Sequence, residues 1–174
     1  MSWHQEIQKA SDEINKLYRN IGETYKSRSK SDKHKKAWQN ACSRFHNYRS
    51  SATEIIDRCY EDSVADDRSL KEFALDFLET DPVYFRSGYF KERLLTQLKR
   101  ASLSTSEKKR LQKILLKAVV RCARREFKRY GRLANLVADD QFIVDLKELR
   151  NHESRSISSR AKLMLKQMEI EYDI

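Results

Sequence analysis

From Trp3 the large apolar residues fall at Trp3, Ile7, Ala10, Ile14, Leu17 and Ile21, alternating steps of four and three that keep them in one narrow seam of a helix. A polar break from Lys26 to Asp32 follows, and the same spacing resumes at Trp38, Ala41, Phe45, Tyr48, Ala52, Ile55 and Cys59. Two seams joined by a short polar loop predict an antiparallel, coiled-coil-like hairpin over residues 3–60, each helix burying a stripe it cannot bury alone. Trp3, Ile7, Ile14 and Ile21 would then face Trp38, Phe45, Tyr48 and Ile55. The acidic stretch from Asp62 to Arg68 carries helix-capping residues and closes this first unit, residues 1–67.

Beyond residue 67 the predicted helices shorten and their apolar faces widen. Leu70, Phe73, Ala74, Phe77 and Leu78 make one stripe, stopped by Asp81-Pro82 because proline lacks a donor and restricts the residue before it. Tyr84, Phe85, Tyr89, Phe90, Leu94, Leu95 and Leu98 make the next, with Phe85, Tyr89 and Phe90 read as core. Ser104 or Thr105 caps a long predicted helix from about Ser106 to Tyr130, and Gly131 closes it. Leu133 to Val137, then Phe142, Ile143, Leu146 and Leu149, and finally Ile157, Ala161, Leu165 and Met168 complete a second unit, residues 68–174. The expected fold class is all-α: a long N-terminal hairpin followed by stacked helical hairpins.

The last pair resembles the HEAT and armadillo-type helical repeats. A helix ending in Leu146-x-x-Leu149 is followed by the polar turn Asn151-His152-Glu153-Ser154, then by Ile157, Ala161 and Leu165 at four-residue steps. The turn lacks the family's usual proline, and the nearest arginine after the isoleucine is Arg160. The resemblance covers about residues 142–168 and implies stacked helix pairs without any catalytic residue.

Composition narrows the chemistry. The 174 residues include three glycines and one proline, and Gly22, Gly88 and Gly131 lie far apart, which excludes a glycine-rich phosphate loop or a dinucleotide fingerprint. Cys42, Cys59 and Cys122 form no C-x-x-C pair, and His4, His34, His46 and His152 have no zinc-site spacing. Cys42 and His46 share a helix face as a core thiol beside a rim imidazole, and Asp66-Asp67 and Asp139-Asp140 read as caps or surface pairs. No catalytic residue, metal ligand or cofactor is expected, and the protein is read as non-enzymatic. Without an apolar leader or a membrane-length apolar run, the expected location is the cytoplasm, with the nucleus left open.

Charge supplies the functional signal. The net charge is +10, and residues 86–132 alone hold 16 Lys and Arg against three acidic residues. On a helical wheel Arg110, Lys113, Lys117, Arg121, Arg124 and Lys128 share a band about 80° wide that would run for roughly 27 Å. Such a ridge reads as a solvated face, as a surface for nucleic-acid phosphates, or as a dock for an acidic protein or lipid surface. Asp139, Asp140, Asp145 and Glu148 could neutralise part of it internally. The tip from Lys26 to Lys36 adds six basic residues against Asp32. The expected function is a helical binding module that contacts DNA or RNA backbone without reading sequence. The alternative is a protein-interaction scaffold whose hairpin and basic face bind an acidic partner, with the hairpin also offering a homo-oligomer contact.

Overall fold

Residues 2–121 and 127–170 are described by a computed structural model. Among them the only regular elements are helices: α1 (His4–Tyr25), α2 (Asp32–His46), α3 (Ser51–Glu61), α4 (Arg68–Thr80), α5 (Ser87–Leu98), α6 (Thr105–Arg121), α7 (Phe127–Val137), α8 (Asp140–Arg150) and α9 (Arg155–Ile170). None of the described helices is long and apolar enough to cross a membrane.

α1 and α2 pack side by side. Tyr25 meets Trp38 with ring centroids 6.1 Å apart, and Tyr18 meets Phe45 at 5.8 Å, so the residue order runs in opposite directions along the two helices. The second seam does not continue to Cys59 as one helix. α2 ends at His46, and α3 begins after Ser50, whose side chain accepts from the Thr53 N–H while the Thr53 side chain accepts from the Ser50 N–H. This capping box offers the backbone an alternative to the helical ladder. The turn lets Ala52 and Cys59 join the core against α1 and α4. α2 is left peripheral, burying only Ala41, while Ile14 and Phe45 are half-buried.

α4 is the hub. Asp67 caps it by accepting from the Ser69 and Leu70 N–H groups, and Asp81, left-handed at φ 51°, ends it before Pro82. Leu70, Phe73, Ala74, Leu75, Phe77 and Leu78 are all buried, because α1, α3, α5 and α6 surround the helix. Each of the two phenylalanines contributes about 1.5–3 kcal/mol by leaving water. The buried cluster runs without a break from Ile7 and Ala10 through Phe73 and Leu115 to Met164, crossing residue 67.

α6 starts at the expected cap: Ser104 Oγ accepts from the Glu107 N–H and the Glu107 carboxylate from the Ser104 N–H. Gly131 is not a helix terminator. It lies inside α7, where its missing Cβ makes room for Gln167 of α9, whose Oε1 would stand 1.5 Å from an added Cβ. A mid-helix glycine costs about 1 kcal/mol against alanine, and here it lets α9 approach α7.

With few glycines to terminate helices, the ends of α3 and α4 are closed by cations. Lys117 donates to the Glu79 carbonyl at the end of α4, and Arg93 to the carbonyls of Cys59 and Tyr60 at the end of α3. Each satisfies carbonyls that have no partner within their helix and sits favourably at the negative end of its dipole.

Candidate functional site

Arg110, the first residue of the predicted basic ridge, faces inward. α4 presents Glu72, Asp76 and Glu79 to α6, and the Arg110 guanidinium bonds all three, at 2.6 Å to Glu72, 2.6 Å to Asp76, and 2.8 and 3.0 Å to the two oxygens of Glu79. Asp76 is 2% exposed. Its second oxygen accepts the Trp3 N–H at 2.6 Å, so an orphan donor at the start of α1 is satisfied by a carboxylate placed favourably for the helix dipole. His4 Nε2 lies 3.1 Å from Glu79. The hydrogen bonds donated by Arg110 hold the Glu79 carboxyl below its ordinary range against the opposing effect of burial, and the same bonds push the Arg110 guanidinium up.

His4, Asp76 and Glu79 bring potential ligand atoms within 4.8 Å of one another. A cation could join them only by displacing Arg110, which already neutralises the same carboxylates. The cluster is therefore a charge-paired joint between α1, α4 and α6. No motif had marked it, because its members come from three separate helices.

The other ridge residues have different fates. Lys117 is half-buried on the end of α4 and does not point freely outward. Lys113, Arg121 and Lys128 are exposed, and Arg124 lies outside the described residues, as do Cys122 and Glu126. Val120, expected to be packed, is 45% exposed. Neutralisation from the acidic group after α7 is narrower than expected: Asp139 pairs at 2.7 Å with Lys109, which is not part of the ridge. Hydrogen bonds from Gln112, Lys109 and the Phe142 N–H hold the Asp139 carboxyl far below the usual carboxylate range.

A second positive surface forms between α5 and α7. Three adjoining clefts of about 550, 550 and 300 Å³ share Arg129 in their walls. Arg100, Lys128 and Arg132 line this groove with Arg129, and none of the four forms an ion pair with a described residue. Glu92 shares two of the clefts with them, and Glu61, Asp62, Tyr89 and Arg93 line one cleft together with Arg100 and Arg129. Of the five described ridge residues only Lys128 lines the groove, while Arg100, Arg129 and Arg132 had counted only toward regional charge. A sign lay in Lys128 and Arg132 being one turn apart, but α5 opposite them could come only from the fold.

The aromatics also divide. Phe90 is 2% exposed, as expected of core, but Phe85 is 47% and Tyr89 55% exposed. Phe85 stacks on Tyr18 at 4.9 Å and meets Phe45 edge-on at 6.2 Å, forming a half-exposed ring cluster. Cys59 is buried and its thiol is pushed up to about 12 by desolvation, which leaves it unsuited to nucleophilic work. The chain matches no protein-family model, no curated protein and no solved structure.

Proposed function

We propose that this protein is a non-enzymatic helical binding module that holds nucleic-acid phosphates without reading base sequence. The observation that carries this reading is the α5–α7 groove, where Arg100, Lys128, Arg129 and Arg132 outnumber Glu92 on the shared wall and form no ion pair with a described residue. Cations left unneutralised in a shared concavity attract a polyanion and release its counterions on binding. Lys113 and Arg121 on α6 add exposed positive charge, whereas Arg110 and Lys117 serve the fold. Phosphate contacts fix position and carry no sequence information, which suits a surface with no base-reading motif. The packing of α6 on α7, α7 on α9 and α9 on α8 supports a HEAT-like stack as the scaffold, with residues 1–67 as an associating hairpin. Such a module would act in the cytoplasm or nucleus.

The test is charge reversal at Lys128, Arg129 and Arg132 together. The triple Glu variant should keep its helical circular dichroism and lose nucleic-acid binding, while reversal of Lys33, Lys35 and Lys36 at the hairpin tip should cost far less. Wild-type affinity should fall with salt, with a log–log slope of about −0.9 per duplex phosphate neutralised or about −0.7 for single strands. Equal binding by wild type and the groove variant would exclude the phosphate role, as would indifference to salt between about 50 and 200 mM. The weight would then move to an acidic protein partner, for which the half-exposed Tyr18–Phe45–Phe85 cluster is the favouring observation.

A further inference from the structure

Tyr18 of α1, Phe45 of α2 and Phe85 in the turn before α5 meet in one patch, with Phe85 stacked on Tyr18 and edge-on to Phe45. Tyr18 and Phe85 are each 47% exposed and Val83 55%. The Asn15 side chain donates to the Val83 carbonyl at 2.8 Å, so the apolar surface continues from α1 onto the loop. The turn that carries Phe85 is strained: Arg86 sits at φ 70°, in the left-handed region that suits glycine or asparagine. Strain of this kind persists where the surroundings enforce it, and it gathers at binding surfaces. Half-exposed aromatics beside an arginine have the composition of an interface hot spot.

The rim of the patch is cationic. The Arg86 guanidinium lies 5.8 Å from the Phe85 ring centroid, the His46 ring 5.6 Å from that of Phe45, and Arg49 donates to the carbonyls of His46 and Tyr48 at the end of α2. Neither Arg49 nor Arg86 forms an ion pair with a described residue. The acidic residues on the elements that carry the rings are paired or face elsewhere. Glu6 pairs with Lys9, Glu13 with Lys16 and Asp81 with Lys91. Asp12 and Glu23 stand about 120° and 140° round α1 from Tyr18, and Asp32 begins α2 about 20 Å from Phe45. A second copy of this chain would set the arginines against their own images across a two-fold contact, so charge selects a different, acidic occupant. No described strand offers an edge to an extended peptide, whereas a third helix packs readily against an antiparallel pair. Independently of the α5–α7 groove, we propose that the Tyr18–Phe45–Phe85 patch docks an acidic amphipathic helix of a partner protein, its apolar side chains covering the rings and its carboxylates meeting Arg49 and Arg86.

The full chain is titrated by fluorescence anisotropy against a labelled synthetic helix of about 18 residues, with leucines along one face and glutamates on the others. Two controls are a scrambled peptide of the same composition and the same helix with lysine in place of glutamate. The acidic helix is expected to bind about tenfold or more tightly than either control. Phe85→Ala is expected to weaken it about tenfold. Arg86→Gly, which relieves the left-handed position while removing the cation, is expected to weaken it about threefold without lowering the melting temperature, and it decides the matter if Phe85→Ala does not fold. Reversal of Lys128, Arg129 and Arg132 should leave peptide binding within about twofold of wild type. The proposal is overturned if either control binds as well as the acidic helix, if either variant, correctly folded, stays within about twofold of wild type, or if the groove reversal abolishes peptide binding. Each of these outcomes leaves nucleic-acid binding at the groove standing, because that reading is tested on nucleic acid alone.

Discussion

The α4–α6 interface and the α5–α7 groove are built from the same residue type and use it oppositely. Arg110 faces three carboxylates across a helix contact and is consumed in fixing α1, α4 and α6 together. Arg129 and Arg132 line a cleft with Lys128 and Glu92, cations in excess, and form no ion pair with a described residue. Whether a cation serves the fold or a partner is set by what lies opposite it, because a buried charge must be compensated internally and an exposed one is compensated by solvent until a ligand arrives. Lys91 marks the structural extreme: fully buried, it is paired with Asp81, the left-handed residue that ends α4.

The contrast breaks most visibly at Arg110. Arg110→Met should lower unfolding stability by about 2–4 kcal/mol, because it leaves Asp76 and Glu79 facing each other without their cation. The loss should fall short of the full penalty for a buried pair, since Arg110 is 27% exposed and the Trp3 N–H still serves Asp76. Urea unfolding at neutral pH measures it. The groove reversal at Lys128, Arg129 and Arg132 should by contrast leave the urea midpoint almost unmoved; a drop as large as that of Arg110→Met would erase the distinction between the two regions.

Acid sharpens the same comparison. The folded-state value of Glu79 lies below its ordinary 4.5, so the stability it contributes is complete above about that pH and is lost as the pH falls through the lower folded value. Wild type should therefore lose stability between about pH 5 and 3 more steeply than Arg110→Met does. Parallel slopes in the two proteins would mean that the cluster is not responsible. The smallest effect belongs to Lys109→Ala: its pair with Asp139 is exposed, and the urea midpoint should shift little, because solvent and salt screen such pairs.

Several elements were legible from residue order. The α1 seam, the Asp81-Pro82 stop, the Asp67 and Ser104 caps and the division between α8 and α9 depend on neighbours within about one helical turn, where spacing and capping chemistry decide. The break at Ser50 was missed because the 3/4 spacing runs unbroken through Tyr48 and Ala52, and only the Ser50–Thr53 box interrupts it. Gly131 was misread because a glycine near a helix end and a glycine beneath a crossing helix look alike in sequence; Gln167, 36 positions away, tells them apart. Phe85 and Tyr89 shared the apolar spacing of Phe90 and nevertheless reached the surface.

The helical class, the surplus of positive charge and its concentration in residues 86–132 were determined by the sequence by itself, since composition and periodicity are properties of the chain whatever its shape. Which cations remain available was decided by the tertiary structure alone. An ion pair reaches only a few ångströms, and the carboxylates that meet Arg110 lie 31, 34 and 38 positions away. The packing of α4 on α6 made Arg110 a structural residue, and that of α5 beside α7 left Arg129 and Arg132 facing a groove.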